Sequence, residues 1–283
     1  MQVIVVREKK EIRQNVDRWK KQGLKVGFVP TMGFFHKGHL SLMKKSLKMS
    51  DRTVVSIFVN PTQFGPNEDF DKYPRDIERD IKLAEETGVH AVFIPTVKEM
   101  YSGNSKTWVT VEDLSKNLCG KSRPGHFKGV ATVVAKLFNI VQPDVAIFGQ
   151  KDFQQLCIIK QMVKDLDFPI QIVGAPIYRE KDGLAMSSRN TYLTDEERHS
   201  ATCLFKALKM AKDLIDRDEV ERAKDLFSII KSFIETFPFT KIDYIFIGDP
   251  ESLEPVDELK KPLLIALAVY LGKTRLIDNI LIN

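Results

Sequence analysis

The amino-acid sequence predicts an α/β protein, in which a parallel sheet covered by helices is followed by a smaller α+β unit. Short β-rich runs alternate with segments of helical period as far as about residue 175, which is typical of a parallel sheet flanked by helices. After Pro176 the pattern changes to a polar loop and two long amphipathic helices. Hydrophobic residues make up 43% of the 283 residues, enough for a substantial core. We therefore predict two domains, residues 1–176 and 177–283.

The β-rich runs of the first domain predict the strands of its sheet. Each run is short, apolar and bounded by turn or helix signals. An extra strand is expected at Trp108–Val111, before a loop that contains glycine and proline. The main predicted strands are Val3–Val6, Val26–Val29, Thr53–Val59, Ala91–Ile94, Val145–Phe148 and Ile170–Val173.

Helical segments fill most of the gaps between these strands. Leu40, Met43 and Leu47 repeat at i, i+3 and i+7, and the run from Val130 to Val141 is apolar on one broad face. Both patterns are typical of helices that pack on a sheet.

The second domain is predicted to combine two helices with three strands. Thr194-Asp-Glu-Glu197 has the form of a capping box, which opens a helix. Gly272-Lys273-Thr274 is a connection of hairpin length between two apolar runs. The expected elements are helices at about Asp195–Ile215 and Asp218–Thr236, and strands at Ile242–Ile247, Leu263–Leu271 and Arg275–Ile282.

Composition and charge exclude several classes of protein. The chain has 43 basic and 38 acidic residues, a net charge of +5 that suits phosphate ligands but lacks the clustered excess of a nucleic-acid binder. The longest apolar run, Leu263–Leu271, is far shorter than the roughly 20 residues of a membrane span. Cys119, Cys157 and Cys203 are isolated from one another, which indicates a reducing cytoplasm. We expect a cytoplasmic protein without nucleic-acid or membrane partners.

A first motif, Pro30-Thr-Met-Gly-Phe-Phe-His36-Lys-Gly38-His39, follows a predicted strand and opens a predicted helix. Ligands of parallel sheets collect at the carboxyl ends of strands, where the free N–H groups of a helix point at an anion. Two imidazoles at i and i+3 can donate hydrogen bonds to phosphoryl oxygens, and Gly38 lets a phosphate approach the backbone. A His-x-x-His metal pair and a capping histidine are the alternatives.

Further polar segments stand at the predicted ends of other strands. Asn60-Pro-Thr-Gln63 carries neutral amides, which can bind a carboxylate or a hydroxyl without burying a further charge, or can form a simple turn. Lys151 offers a point charge for phosphate, and Asp152 can cap a helix, hold a ribose or hold a hydrated Mg²⁺. Met186-Ser187-Ser188-Arg189 combines two hydroxyls with a guanidinium, a multiple-donor group for phosphate oxygens.

These motifs carry a resemblance to a known family. His36-x-Gly38-His39 at a strand-to-helix turn is similar to the mark of the nucleotidylyltransferase superfamily, which implies a Rossmann-like fold for the first domain. Five segments between residues 30 and 190 together resemble the pantothenate synthetase (pantoate–β-alanine ligase) family. They begin at Pro30, Phe58, Arg123, Lys151 and Met186, and include Arg123-Pro-Gly-His126-Phe and Lys151-Asp-Phe-Gln-Gln155.

The resemblance implies an ATP- and Mg²⁺-dependent ligase that acts in two steps. The carboxylate of pantoate attacks the α-phosphate of ATP and releases pyrophosphate. The amine of β-alanine then attacks the pantoyl adenylate to give pantothenate, the precursor of coenzyme A, and AMP. The family also implies a homodimer. Two alternatives are an adenylyltransferase of the same superfamily, acting on nicotinamide mononucleotide or phosphopantetheine, and a catalytically silent nucleotide- or RNA-binding module.

Site residues are implied by the same resemblance. His39, usually assigned as the proton donor, stands with His36, Lys151 and Arg189 as the catalytic group, with Arg189 at the pyrophosphate. Metal ligands are left open, and the family more often has Glu where Gln150 stands. Pantoate and β-alanine are assigned to Asn60, Gln63, Gln155 and His126, and ATP to Met32, Gly33, Phe34, Phe35, His36, Lys37, Gly38, His39, Gly149, Gln150, Lys151, Asp152, Tyr178, Met186, Ser187, Ser188 and Arg189.

Overall fold

The computed structural model describes residues 2–66, 68–103 and 105–283, and the chain divides into two compact units. The first unit contains the chain up to Ser115, Arg123–Gln150 and Gln155–Pro176. The second contains Lys116–Ser122, Lys151–Gln154 and Ile177–Asn283. Two short segments that precede Pro176 in the sequence therefore belong to the second unit.

A parallel sheet forms the centre of the first unit, and this confirms the predicted α/β fold. Its strand order is β1-β4-β3-β2-β5-β6, and every neighbouring pair runs parallel. The main strands match the predicted runs to within a few residues. They are β1 (Ile4–Val6), β2 (Val26–Thr31), β3 (Arg52–Ile57), β4 (Ala91–Phe93), β5 (Val145–Gly149) and β6 (Gln171–Ala175).

Helices cover both faces of this sheet. Alternate residues of β2 and β5 point to opposite faces, because side chains of a strand alternate. Phe28 and Phe148 pack edge-on against Phe138, with ring centroids 6.4 and 6.3 Å from it, while Val29 belongs to the same buried cluster as Met43. The helices before Pro176 are α1 (Lys9–Lys21), α2 (Lys37–Met49), α3 (Ile77–Thr87), α4 (Val97–Met100), α5 (Cys119–Ser122), α6 (His126–Val141) and α7 (Phe153–Asp165).

The extra strand expected at Trp108–Val111 is wrong, since this segment pairs with no strand in the described part of the chain. The backbone N–H of Val109 instead donates to Oγ1 of Thr132 on α6, at 3.0 Å. The Trp108 side chain is 43% exposed and lies against the Lys128 ammonium. The β-rich composition suggested hydrogen bonds to a neighbouring strand, but the backbone here bonds to a side chain of a helix instead.

The second unit contains an antiparallel sheet of the order β7-β8-β9. Gly272 and Lys273 connect its last two strands as a hairpin, as predicted. One buried apolar cluster joins the sheet to its helices. The elements are α8 (Asp195–Ala201), α9 (Cys203–Asp216), α10 (Ala223–Glu235), β7 (Thr240–Gly248), β8 (Leu263–Leu271) and β9 (Thr274–Ile282).

Both long helices predicted for this unit differ from the observed ones. The capping box at Thr194 is confirmed, but the helix it opens ends at Ala201, and Thr202 donates through Oγ1 to the carbonyl of His199 at 2.9 Å. The next predicted helix starts later, because Asp218 has a left-handed φ of 54° and interrupts the helical turn. Within the described residues, no helix is long and apolar enough to cross a membrane.

Candidate functional site

The polar motifs lie at the point of the first sheet where the order of successive strands reverses. β3 and β4 lie on one side of β2, whereas β5 and β6 lie on the other. Crevices at such a reversal, outside the carboxyl ends of the strands, are the usual ligand sites of open α/β sheets. The Met32–His39 segment leaves β2 there, Asn60–Gln63 follows β3, and Gly149–Gln150 ends β5.

A left-handed turn connects β2 to the histidine pair. Gly33 has a φ of 84° and Phe34 a φ of 52°, both in the left-handed region. A Cβ at Gly33 would also lie 2.8 Å from Cγ2 of Ile57, so this position requires glycine for conformation and for space. The N–H of Gly33 donates to Oγ1 of Thr31 at 3.1 Å, which closes the turn and brings His36 to the start of α2.

Asp80 on α3 holds this turn. Its two carboxylate oxygens accept the backbone N–H groups of Phe34 and Phe35, each at 2.6 Å. The side chain is buried, and burial raises the pKa of Asp80 above its ordinary value, while the two amide hydrogen bonds act in the opposite direction. Asp80 belongs to none of the sequence motifs. Asp80 could have been noticed because it lies four positions before Ala84, on the buried face of an amphipathic helix, where an acidic side chain needs hydrogen-bond partners.

Replacing Asp80 with asparagine is expected to destabilise the protein by about 1–3 kcal/mol, since one of the two backbone N–H groups would then face an amide NH₂ instead of an acceptor. Urea unfolding measures this change. Glu78→Gln is the matched control, because Glu78 is exposed on the same helix, and it should leave the unfolding midpoint unchanged. Equal midpoints for both variants would contradict the role of Asp80.

The two histidines of the motif lie together at the N-terminus of α2. Their rings stack with centroids 4.0 Å apart. The backbone N–H of His36 donates to Nδ1 of His39 at 3.3 Å, so the neutral His39 ring carries its proton on Nε2. His39 thus caps the backbone with one nitrogen and presents a donor with the other, which unites two of the roles left open by the sequence. Among the residues that the structure describes, no group of three or more His, Cys, Asp or Glu side chains is arranged to hold a metal ion.

Asn60 organises the turn after β3. It is buried, and its Oδ1 accepts from the hydroxyls of Tyr101 at 2.9 Å and Thr62 at 3.0 Å. Its Nδ2 donates to Oε1 of Gln63 at 3.0 Å and to the carbonyl of Gly129 at 3.2 Å. The amide of Asn60 therefore fixes both the turn and the Gln63 side chain.

Gln63 has its donor nitrogen turned toward the first motif. Its Nε2 lies 3.3 Å from Sδ of Met32, a weak acceptor, while its Oε1 is held by Asn60. A ligand carboxylate or hydroxyl is a stronger acceptor than a thioether. The structure thus brings Met32 and Gln63, predicted from separate motifs, into contact.

The backbone of Gln63 is held in turn by the Arg123–His126 segment. Nδ1 of His126 lies 2.8 Å from the Gln63 carbonyl, and Nε2 of His126 lies 3.0 Å from Nη1 of Arg123. Because a guanidinium only donates, Nε2 of His126 accepts and Nδ1 donates. Arg123 also binds Glu68. Burial acts to raise the pKa of Glu68, but Arg123 outweighs it and holds the pKa below its ordinary value. Both ring nitrogens of His126 are therefore engaged in supporting the turn.

Several residues that were predicted to bind the phosphates of ATP lie in the second unit. Lys151 and Asp152 belong to a 3-10 helix, Gln150–Asp152, and the carbonyl of Lys151 accepts from Nδ2 of Asn279 at 2.9 Å. Ser187 caps a 3-10 helix, Ser188–Tyr192, where its Oγ accepts the N–H of Arg189 at 3.2 Å.

The remaining predicted residues lie on either side of that helix and in the first unit. The N–H of Met186 donates to the carbonyl of Tyr178 at 2.9 Å, and the Tyr178 side chain is exposed. Gln155 is half-buried on α7 of the first unit. The structure thus joins Met32, Gln63 and His126 within the first unit by a chain of contacts, and stacks His39 on His36 at the start of α2. Lys151 and Arg189 belong to the second unit.

Comparison with known proteins decides the family. Residues 4–281 match the family model described as pantoate-beta-alanine ligase. The chain belongs to the pantoate–β-alanine ligase family. The resemblance drawn from the five segments is confirmed, and it extends over the C-terminal part, where no motif was matched.

Curated relatives and solved structures agree with this assignment. The pantothenate synthetase of Caldicellulosiruptor saccharolyticus is 57% identical over 99% of this chain and all of its own length. The pantothenate synthetase of Enterococcus faecalis is 53% identical over 98% of both chains. The crystal structure of pantothenate synthetase from Thermus thermophilus is similar with a TM-score of 0.93, 43% identity and coverage of 98% of this chain and 99% of that one.

One solved structure of a pantoate–β-alanine ligase contains ligands. The enzyme from Francisella tularensis, complexed with beta-gamma ATP and beta-alanine, has a TM-score of 0.80 and 36% identity, and the match covers 99% of this chain and 97% of that one. Membership of a ligase family favours the predicted ligase over the adenylyltransferase and binding-module alternatives.

Proposed function

We propose that this protein condenses pantoate with β-alanine to pantothenate through a pantoyl adenylate. A carboxylate oxygen of pantoate attacks the α-phosphorus of ATP, and the bond from that phosphorus to the bridging oxygen breaks, so pyrophosphate leaves. The β-alanine nitrogen then attacks the acyl carbon, loses a proton and displaces AMP. The observation that carries the proposal is the family match over residues 4–281, together with a donor histidine at the N-terminus of α2 and a Gln63 side chain that contacts Met32 of the same motif.

ATP is assigned to the Met32–His39 segment and the end of β5. His39 is the main candidate for a donor to the phosphate, since its Nε2 carries the proton and the N-terminus of α2 favours an anion. A preorganised donor of this kind stabilises charge that grows on phosphoryl oxygens during transfer. His36 is assigned the same function. The other ATP residues proposed here are Met32, Gly33, Phe34, Phe35, Lys37, Gly38, Gly149 and Gln150.

Pantoate is assigned to Gln63, with the Nε2 group donating to its carboxylate or hydroxyls. Asn60 and His126 belong to the same site as the groups that fix the Gln63 side chain and backbone. Gln155 on α7 completes the proposed residues for pantoate and β-alanine. Placement of a neutral amide avoids the cost of burying another charge beside the pantoate carboxylate.

The second domain, residues 177–283, is proposed to close over ATP. Lys151 and Arg189 supply cations for the phosphates, with Arg189 at the departing pyrophosphate. Asp152, Ser187 and Ser188 add polar contacts. Tyr178 and Met186, whose backbones bind each other, are assigned to the adenine side.

Magnesium is proposed to enter with ATP. Mg²⁺ keeps several waters and is held by one or two carboxylates plus substrate phosphates. Asp152 is the only acidic residue in the Met32–His39, Gly149–Asp152 and Met186–Arg189 segments, and it is exposed. This donor set fits an ion carried mainly by the nucleotide, with Asp152 as its protein ligand. When bound, the ion would neutralise phosphate charge.

The remaining proposals concern the setting of the reaction. We assign the protein to the cytoplasm, from its isolated cysteines, and to a homodimer, from the family resemblance. Its partners are the small molecules ATP, pantoate and β-alanine.

Exchange of labelled pyrophosphate into ATP tests the proposed function. With Mg²⁺ and pantoate but without β-alanine, exchange is expected, because adenylate formation is reversible. Nicotinamide mononucleotide and phosphopantetheine replace pantoate in parallel reactions and should give none. If only nicotinamide mononucleotide or phosphopantetheine supports exchange, the protein belongs to the adenylyltransferase class. If none of the three acceptors supports exchange, the binding module is favoured.

Gln63→Ala is expected to weaken pantoate binding by about tenfold, the value of one lost hydrogen bond to a charged group. Calorimetric titration with pantoate measures the change. Gln14→Ala, at an exposed position of α1, is the control. A pantoate affinity equal to that of the control would remove Gln63 from the site.

A further inference from the structure

Two adjacent polar residues lie buried in the last strand of the second unit. Asp278 and Asn279 of β9 are only 2% and 5% exposed. The two carboxylate oxygens of Asp278 accept from Nη1 and Nη2 of Arg179, at 2.6 and 3.0 Å, and Oδ1 also accepts the N–H of Asn279 at 2.8 Å. Neither residue belongs to the motifs recognised in the sequence.

Arg179 connects Asp278 to the loop that carries Arg189. Nη1 of Arg179 donates to the carbonyl of Gly183 at 3.0 Å, and the backbone of Arg179 bridges to Ala185. Its guanidinium lies 4.5 Å from the centroid of the Phe205 ring. Arg179 therefore fixes both strands of the small hairpin that leads from Tyr178 to Met186 onto β9.

Asn279 connects the same strand to Lys151. Its Nδ2 donates to the Lys151 carbonyl, at 2.9 Å, within the 3-10 helix that presents the lysine. A second contact secures this turn, since Nε2 of Gln154 donates to the carbonyl of Asn117 at 2.7 Å. Lys151 and the Arg189 loop, 38 positions apart in the sequence, are thus held by neighbouring residues of one strand.

The energetics argue that this arrangement serves position more than stability. Removing an ion pair from water costs several kcal/mol per ion, on the order of what the pairing returns, so a buried pair is weak evidence for stability. Its bidentate geometry, however, fixes orientation. A misplacement of about 1 Å at a reacting site can cost about a hundredfold in rate.

We infer that Asp278 and Asn279 are positioning residues for ATP, which set the location of Lys151 and of the Arg189 loop from a common strand. This rests on the proposed function, in which Lys151 and Arg189 bind the phosphates. Asn279 acts through the Lys151 backbone and Asp278 through Arg179, and neither residue contacts the nucleotide itself.

Kinetics of pyrophosphate exchange test the inference. Asn279→Asp keeps the shape of the side chain but removes the donor to Lys151, and Asp278→Asn removes the charge that pairs with Arg179. Each is expected to lower kcat/KM for ATP by about tenfold to a hundredfold, while KM for pantoate stays within about twofold. A double variant that adds Arg179→Gln to Asp278→Asn should lose less than the sum of the single losses, because both act through one contact.

A second ion pair on the same sheet serves as a control, because it distinguishes a role in positioning Lys151 and Arg189 from a role in stability alone. Asp243 of β7 pairs with Arg275 of β9 at 2.8 Å, and its side chain is 20% exposed, less buried than that of Asp278. Asp243→Asn should lower the melting temperature but leave kcat/KM for ATP near the wild-type value. If Asn279→Asp does not fold, Asn279→Ser, whose hydroxyl is too short to reach the Lys151 carbonyl, is measured instead.

Each outcome decides between the two proposals. If the wild-type protein catalyses exchange and the folded β9 variants have unchanged kcat/KM for ATP, the positioning role is overturned. The proposed function then remains intact. Equal losses for ATP and pantoate would also overturn the positioning role, since they would indicate general damage. Absence of exchange in the wild-type protein would refute the proposed function itself.

Discussion

Replacing His39 with alanine is expected to slow formation of pantoyl adenylate by about 10²- to 10⁴-fold, the usual contribution of a positioned proton donor. The loss follows from removal of the Nε2 donor at the N-terminus of α2. The fold should persist, because Asp80 holds the preceding turn independently of His39. Single-turnover quench-flow with ATP and pantoate measures the rate of the adenylate step directly.

Two amide variants identify the nitrogen of His39 that acts. Glutamine places a donor close to the position of Nε2, whereas asparagine can replace only Nδ1 as the acceptor for the His36 N–H. We expect His39→Gln to retain more adenylate formation than His39→Asn. The reverse order would assign the activity to Nδ1 and contradict the capping geometry. His199→Ala, on an exposed face of α8, is the control and should behave as the wild type.

Replacing Gly129 with alanine is expected to lower both the stability of the protein and its affinity for pantoate. A Cβ at this position of α6 would lie 2.3 Å from the Thr62 carbonyl oxygen and 2.8 Å from Cα of Gln63, both backbone atoms. Glycine to alanine within a helix normally stabilises by roughly 1 kcal/mol. Here we expect destabilisation of about 1–3 kcal/mol from overpacking, because the turn must move. Since Gln63 moves with it, pantoate affinity should fall by about tenfold, as expected for Gln63→Ala.

Urea unfolding and pantoate calorimetry measure the two consequences of Gly129→Ala. Gly103→Ala is the control, because no atom lies within 4 Å of the Cβ that it adds. A stabilised Gly129→Ala variant with normal pantoate affinity would refute the close approach of α6 to the Asn60–Gln63 turn.

Local sequence patterns predicted most of the fold. Buried parallel strands such as β2 and β5 are apolar on both faces, and their runs stand out against the helical period of their neighbours. The capping box at Thr194 fixed the start of α8 for a similarly local reason. Trp108–Val111 failed because its backbone is bonded to Thr132, on a helix that the sequence places more than twenty residues later. At the break after Ala201, both the backbone N–H and the hydroxyl of Thr202 donate to the carbonyl of His199, contacts that periodicity does not reveal.

The candidate site was predicted where short motifs carry it. Met32–His39, Lys151–Asp152 and Met186–Arg189 are contiguous, so their residue types could be interpreted together. Asp80 and Asn279 were not found, because each acts on a segment that is distant in sequence: Asp80 on Phe35 over 45 positions and Asn279 on Lys151 over 128. Only tertiary structure brings such a residue to the backbone that it holds.

The order of the first sheet bears on how the protein is made. β2 pairs with β3 nearby in sequence, but its other neighbour is β5, and the N–H of Val26 donates to Asp144 across 118 positions. During synthesis, one edge of β2 therefore waits unpaired until β5 has left the ribosome. Unpaired apolar edges invite association with other chains, and such long-range parallel pairing is slow. Until then, the strand that leads into the histidine pair of α2 presents an edge at which the nascent first unit can associate with other chains.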